Sequence, residues 1–354
     1  VIRAAILGAG IGAQHLAGYR ASPDRFEVRY LCDLDTARAR AVAGDDLSIA
    51  VTDDLDAVLA DPEVDLVDVC LPPHLHVPVA TRVLEAGKHA ICEKPIARSL
   101  AEADTLIEAE ARAGKRIFPV FQYRYGLATA QMEALAGAGL AGTPFTASLE
   151  THWNRAAAYY DNPWRGTWAR ELGGAVLGHA IHNHDLLLSV FGPVAELSAS
   201  TATRVNPIET EDCGAILMVH DSGALSTSSI TLGAATDESR LRFTFAGFTA
   251  ESGTAPYAPA AEGWRFTARP PYTQGDIDAV LAQVAPPLTG FAGYLAAIAD
   301  ALEGRGDRTV TLADGRRSIE FVTAVYQAAR TGARVALPLD EAAPLYHGWL
   351  PGAV

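Results

Sequence analysis

Through the first 122 residues, short apolar runs alternate with segments whose apolar positions recur every three or four residues. The runs predict strands at 1–8, 26–33, 49–51, 64–72, 89–95 and 116–122, and the longer periodic segments predict helices after Gly12 and at 54–60, 76–86 and 99–113. Strand and helix in strict alternation at this spacing build an α/β doubly wound parallel sheet. Beyond residue 122 the alternation stops. Runs at 143–153, 194–205, 213–220, 223–232 and 241–252 alternate polar with apolar positions, as a sheet with one packed face does. They predict an α+β domain with a large, mostly antiparallel open sheet, packed on helices at 126–139 and 174–191. Helices at 290–304 and 314–331 close the chain, and the Gly-, Pro- and aromatic-rich stretch 253–276 is expected to be a lid or subunit-contact loop. The expected domains are 1–122 and 123–354.

A chain of 354 residues suits two such domains. The net charge of −14 and the lack of a basic run argue against nucleic acid or an anionic membrane as partner. No stretch approaches the roughly 18 apolar residues of a membrane span, and residues 1–10 look like a strand entering a glycine turn rather than a signal peptide. Cys32, Cys70, Cys92 and Cys213 fit small core hydrophobes, and a cytoplasmic location is expected.

The first strand runs into Gly8-Ala9-Gly10-Ile11-Gly12-Ala13, a G-x-G-x-x-A turn before a helix, which is the context a dinucleotide loop requires. Gly8 allows the tight turn, Gly10 lets a pyrophosphate approach, and Ala13 is expected to let the helix pack close to the strand. Asp33 ends the second strand, where a carboxylate accepts from a ribose diol and repels a 2′-phosphate. NAD is therefore favoured over NADP, although Arg38 and Arg40 stand nearby. Ligands of doubly wound sheets bind at the carboxyl ends of the strands. There the chain carries Leu71, Pro72, His74 and His76, then Glu93-Lys94-Pro95, then Gln122 and Arg124.

"GGAVLGHAIHNHD" predicts a helix from Gly174 to the stop at Gly192-Pro193. On it His182 and Asp185 share a face, His179 lies one turn earlier, and His184 points elsewhere. No second cluster of His or Cys completes a ligand set, so no metal is expected. A polar helix end with solvated histidines is the plain alternative. Between 152 and 171, Trp153, Tyr159, Tyr160, Trp164 and Trp168 stand among Arg155, Arg165 and Arg170, a mix suited to a sugar or polyol pocket as well as to ordinary packing. Trp164 and Arg165 are the favoured pair.

These motifs together (GAGIGA, CDLD, Pro72 to His76, Glu93-Lys94-Pro95, Arg124 and the histidine stretch) resemble the glucose-fructose oxidoreductase, inositol dehydrogenase and rhizopine catabolism (Gfo/Idh/MocA) family over essentially the whole chain. The resemblance implies a Rossmann domain binding NAD through Gly8, Gly10, Ile11, Gly12, Ala13, Asp33, Leu71, Pro72, His76, Glu93, Lys94 and Gln122. It implies catalysis by Lys94 and His182, with Lys94 also touching substrate; Arg124, His179, His182 and Asp185 of the matching motifs are expected to line the substrate site, joined by Trp153, Trp164 and Arg165 on the strength of the aromatic segment's composition. It also implies a homodimer or homotetramer. Many family dehydrogenases carry an Asp four residues before the His; here that position is Gly178, with His179 and Asp185 the candidates to compensate.

The expected activity is hydride transfer between a secondary hydroxyl of a sugar, cyclitol or related polyol and NAD. Lys94, whose proton is loosened by a neighbouring cationic nicotinamide, and His182 would serve as the proton-handling groups across the cleft. A redox-neutral glycoside hydrolase or lyase using NAD and a cofactor-binding regulator without turnover are the other readings.

Overall fold

Six strands, β1 (Ile2–Leu7), β2 (Phe26–Cys32), β3 (Ala50–Thr52), β4 (Leu66–Val69), β5 (His89–Cys92) and β6 (Ile117–Pro119), pair in the order β3-β2-β1-β4-β5-β6 in the computed structural model. The structure describes residues 1–162, 165–306 and 308–351. All five pairings are parallel, so the predicted doubly wound sheet is present. Its central strands are nearly solid apolar, with Ala4 to Ile6, Leu66, Val67, Ala90 and Ile91 fully buried, as a sheet covered on both faces demands. Helix boundaries follow local chemistry. Asp35, Asp54 and Ser99 accept the N–H of the third residue onward to start three helices, and Gly114, at φ +62°, ends the helix Leu100–Ala113.

The second sheet has eight strands: β7 (Pro144–Asn154), β8 (Val194–Ala202), β9 (Cys213–His220), β10 (Leu225–Thr231), β11 (Gly233–Phe245), β12 (Phe248–Glu251), β13 (Arg265–Ala268) and β14 (Val335–Ala336). They lie in the order β13-β12-β11-β7-β10-β9-β8-β14, antiparallel except for β7 with β10. Ala147, Leu149, Thr151 and Trp153 of β7 are buried, while Ser148 points to solvent, so one face is packed. That face carries unusually many hydroxyls, among them Thr151, Ser226, Ser228 and Ser239.

The chain forms two compact units, 1–121 with 291–319 and 122–290 with 320–354, rather than the single division after 122 read from the sequence. The physical reason lies in the helix Gly290–Leu302. Tyr294 donates to the carbonyls of Phe118 and Pro119, and Phe291 lies 3.0 Å from where a Cβ on Gly18 would stand, so this late helix completes the first core.

Three element expectations are corrected. The run 241–252 is two strands, because Gly247 turns the chain where a Cβ would lie 1.8 Å from the Leu140 carbonyl. The stretch 253–276 is not wholly aperiodic, since it holds β13 and begins the helix Gln274–Leu281. The histidine segment is two helices, Ala175–Gly178 and Ile181–Phe191, broken at His179 and Ala180.

Candidate active site

In the first unit, the turn after β1 places its glycines for three different reasons. Gly8 sits at φ +98°, and a Cβ there would come 2.4 Å from the Cys70 carbonyl oxygen. Gly12 faces β1, its Cβ position only 2.8 Å from Ile6. Close packing therefore rests on Gly12, and Ala13, expected in that role, is half-buried beside it. Gly10 has open space where its Cβ would go, as a backbone approached by a pyrophosphate needs. Ile11 is exposed at the N-cap of the nine-residue helix Gly12–Arg20.

Asp33 accepts from the N–H of Ala9 at 2.6 Å and of Asp35 at 2.8 Å, and from Arg38 at 2.7 and 2.9 Å. Burial alone would raise its pKa, but these donors outweigh it and hold the carboxyl below its ordinary value. An ionised acceptor at the end of β2, an open Gly10 and a helix N-terminus together fit a dinucleotide with a free ribose diol. Arg38, which with Arg40 kept NADP in contention, is committed to Asp33.

The loop Leu71–Pro72 and the Glu93-Lys94-Pro95 motif are joined by His76. Its Nδ1 lies 2.7 Å from the Pro95 carbonyl oxygen and its Nε2 2.7 Å from that of Leu71. His76 is wholly buried, and its ring straps two strand-end loops together. Glu93 is held from the other side. One carboxylate oxygen meets His15 Nε2 at 3.0 Å, and the other accepts the Lys94 N–H at 3.0 Å. His15 Nδ1 in turn lies 2.8 Å from Asp68, which also accepts from Tyr19. Burial alone would discharge His15, but the Asp68 carboxylate and the Cys70 thiol raise its pKa well above the ordinary value. His15 and Asp68 were not singled out from the sequence. The legible signal was an acid inside the apolar run "VDLVDVC", which needs a partner when buried. His15, Asp68 and Cys70 also form a tight group of metal-ligand types, yet their 2.8 to 3.4 Å spacings are those of hydrogen bonds between the side chains themselves.

In the second unit, the helix Ile181–Phe191 lies against the hydroxyl-rich face of the eight-stranded sheet. Asn183 donates to Thr151 at 2.8 Å, and His184 Nε2 lies 2.9 Å from the Ser228 hydroxyl. From the same helix His182 stacks on Tyr123, ring centres 4.6 Å apart, and Asp185 accepts both arms of Arg124 at 2.7 and 2.6 Å. The expected shared face of His182 and Asp185 is present, aimed at the turn Gln122–Arg124, and His184 points away from it. The histidines are buried, with His182 7% and His184 2% exposed, so the solvated-helix alternative is set aside. Burial drives the His184 pKa down to about 3. Gln122 keeps a buried Oε1 that has no hydrogen-bond partner among the described residues.

The aromatic segment is organised around two arginines. Arg155 pairs with Asp237 at 2.9 Å and lies over the rings of Trp153 and Tyr159. Arg165 also lies over the Tyr159 ring, 4.3 Å from its centre, and pairs with Glu171 at 2.8 Å. Trp153, expected at the substrate, is buried, donates to Ser239 and packs edge-on to His179. Trp164 lies outside the described residues. Tyr159 places its hydroxyl 3.3 Å from His179 Nε2. At Gly178, the side-chain atom that approaches the Cβ position is Glu171 Oε1, at 4.0 Å, so a carboxylate stands beside the gap from a residue not singled out in the sequence.

Comparison with known proteins adds the family context. A family model described as the oxidoreductase family with an NAD-binding Rossmann fold matches residues 2–121, and the C-terminal domain model of the same GFO/IDH/MocA group matches 129–251. The D-apiose dehydrogenase of Paraburkholderia graminis is 31% identical over 232 residues, 63% of this chain and 59% of that protein. The D-glucoside 3-dehydrogenase of Escherichia coli is 29% identical over 217 residues, 60% of each. These alignments span about three-fifths of the length of the curated relatives. The crystal structure of the WlbA dehydrogenase from Bordetella pertussis, in complex with NADH and UDP-GlcNAcA, superposes with a TM-score of 0.82 at 28% identity, covering 96% of this chain and 99% of that one.

Proposed function

Since the chain belongs to the Gfo/Idh/MocA oxidoreductase family, we propose that it is an NAD-dependent dehydrogenase acting on a secondary hydroxyl of a sugar, cyclitol or related polyol. The observation that carries this reading is the mounting of Lys94. It sits at the carboxyl end of β5 in a parallel dinucleotide sheet, between a Glu93 and a Pro95 that are each anchored by a buried histidine. A surface lysine needs no such support, whereas an acid–base group needs a defined position.

Gly8, Gly10, Gly12 and Asp33 would hold NAD, which supplies the hydride acceptor when bound. Lys94 and His182 are assigned the hydroxyl proton, and Tyr123 fixes the plane of the His182 ring. Arg124 and Asp185 satisfy one another, so their part is to lock the His182 helix to the Gln122–Arg124 turn. Arg165, Glu171, Tyr159 and His179 form the polar surface assigned to substrate hydroxyls, with Glu171 standing in for a carboxylate at 178. Relatives named for D-apiose and D-glucoside oxidation, and a neighbour crystallised with UDP-GlcNAcA, support a sugar ring as the substrate class.

An oligomer is also proposed. The outer face of the eight-stranded sheet exposes Leu217 and Leu225, which suits a subunit contact; light scattering showing a monomer at micromolar concentration would overturn it. The four cysteines are unbonded, which suits the reducing, cytoplasmic location we propose.

The activity is tested by mixing the protein with NAD⁺ and D-apiose, D-glucosides, inositol or UDP-GlcNAcA, while following NADH absorbance and sugar cleavage together. NADH stoichiometric with oxidised product is expected. Cleavage without NADH accumulation would replace this reading with the redox-neutral one.

A further inference from the structure

We propose that His15 is a positioning residue for Lys94, acting through Glu93 as a buried clamp. The inference rests on the dehydrogenase reading only for the role of Lys94; the clamp itself is independent of it. His15 lies on the helix that follows the glycine turn, and its two ring nitrogens reach carboxylates on two neighbouring strands, Asp68 of β4 at 2.8 Å and Glu93 beyond β5 at 3.0 Å. Both contacts require the ring to donate from both nitrogens, which only the imidazolium does.

Glu93 then spends its second oxygen on the N–H of the next residue, Lys94, at 3.0 Å, while its own N–H donates to Val69 in β4. The carboxylate is thereby fixed at both oxygens, and the backbone that presents Lys94 follows it. The groups facing the ring are Tyr19 on its own helix, Asp68 and Cys70 from β4 and the residue after it, Glu93 from the end of β5, and Phe291, whose ring centre is 4.3 Å away. Burying an imidazole between two acidic side chains is an expensive way to fill an interior that apolar side chains would fill equally well. Its geometry makes sense as a device that turns the first helix into a fixed support for the Glu93-Lys94-Pro95 turn.

Two variants test this. Glu93→Gln keeps an oxygen for His15 but places an amide NH₂ against the Lys94 N–H, breaking only the last link. His15→Gln removes the cation. In the wild type, both His15 ring N–H groups should be visible by ¹⁵N NMR at pH 8. In each variant the Lys94 amide should exchange about tenfold faster and move upfield. With the polyol that the wild type oxidises, kcat should fall by about 10²-fold while KM changes little. A non-protonated His15 nitrogen at neutral pH, or an unchanged Lys94 amide in Glu93→Gln, would overturn the proposal. Glu93→Gln preserves the His15–Asp68 pair, so it keeps the test decisive if His15→Gln does not fold. If no polyol is oxidised, the NMR measurements still decide the clamp, and only the dehydrogenase reading fails.

Discussion

Arg124 and Asp185 meet through two parallel hydrogen bonds, at 2.7 and 2.6 Å, with Asp185 only 2% exposed. The pair joins the short turn Gln122–Arg124 to the helix that carries His182. Replacing Asp185 with Ala removes the carboxylate that both parallel bonds of the part-buried guanidinium engage. The expected loss is about 3 kcal/mol, the low end for a broken buried pair, because Arg124 keeps some access to water. Arg124→Lys, which keeps charge but loses the fork, should cost less. Denaturant midpoints measure both, and an unshifted midpoint for Asp185→Ala would show that the pair contributes nothing.

His182 and His184 should separate function from stability. His182→Ala is expected to lower kcat by about 10²- to 10⁴-fold with the NAD Kd near wild type. His184→Ala should not be silent, because the His184 ring is buried against Phe321 and bonded to Ser228. Its loss should destabilise the protein by about 1–3 kcal/mol while leaving kcat of the folded fraction largely intact. The reverse pattern in paired kinetic and unfolding measurements would show that the roles are exchanged.

NAD should bind more tightly than NADP, because Asp33 is ionised and already neutralised by Arg38. Asp33→Ser frees Arg38 and should narrow or invert that preference, read by fluorescence titration of both reduced cofactors. Gly8→Ala should abolish binding of both, since its Cβ would strike the Cys70 carbonyl at a left-handed φ. A wild type that prefers NADP would refute the assignment.

Glu211 should make the protein less stable as pH rises through neutrality. Burial raises its carboxyl from 4.5 to about 7, against the opposing pull of the Val176 and Gly174 N–H groups and the Tyr326 hydroxyl. A carboxyl with a raised folded pKa binds more protons in the folded state than in the unfolded one between those values. Its contribution is therefore complete below about pH 4.5 and lost as pH rises past about 7, amounting to about 3 kcal/mol. Glu211→Gln retains an acceptor for the same donors and should flatten the decline in Tm between pH 5 and 8. Parallel wild-type and variant curves would show that Glu211 does not titrate in this range.

The pattern of apolar positions was sufficient for the six strands of the first sheet and their parallel pairing, for a second, largely antiparallel sheet without its strands β13 and β14, and for the dinucleotide turn. Those features are local: periodicity, turn glycines and capping side chains act over a few residues, so a linear reading recovers them. It also placed His182 and Asp185 on one face, since three residues along a helix is a local relation.

Tertiary structure alone decided what depends on distant partners. The helix at 290–302 reads like any other amphipathic helix, yet Tyr294 reaches the Phe118 and Pro119 carbonyls and assigns it to the first unit. The histidine segment breaks at His179, and Glu171 approaches Gly178, through contacts that no spacing encodes. That the His76 ring bridges the Pro95 and Leu71 carbonyls could not be read from its place after a strand end. His15, Asp68 and Glu93 are 53 and 25 residues apart in sequence, and only the pairing of β1 with β4 and of β4 with β5 brings them within hydrogen-bond reach. A buried charge announces that it needs a partner; which partner it finds is set by strand order and register, which the sequence around that charge does not contain.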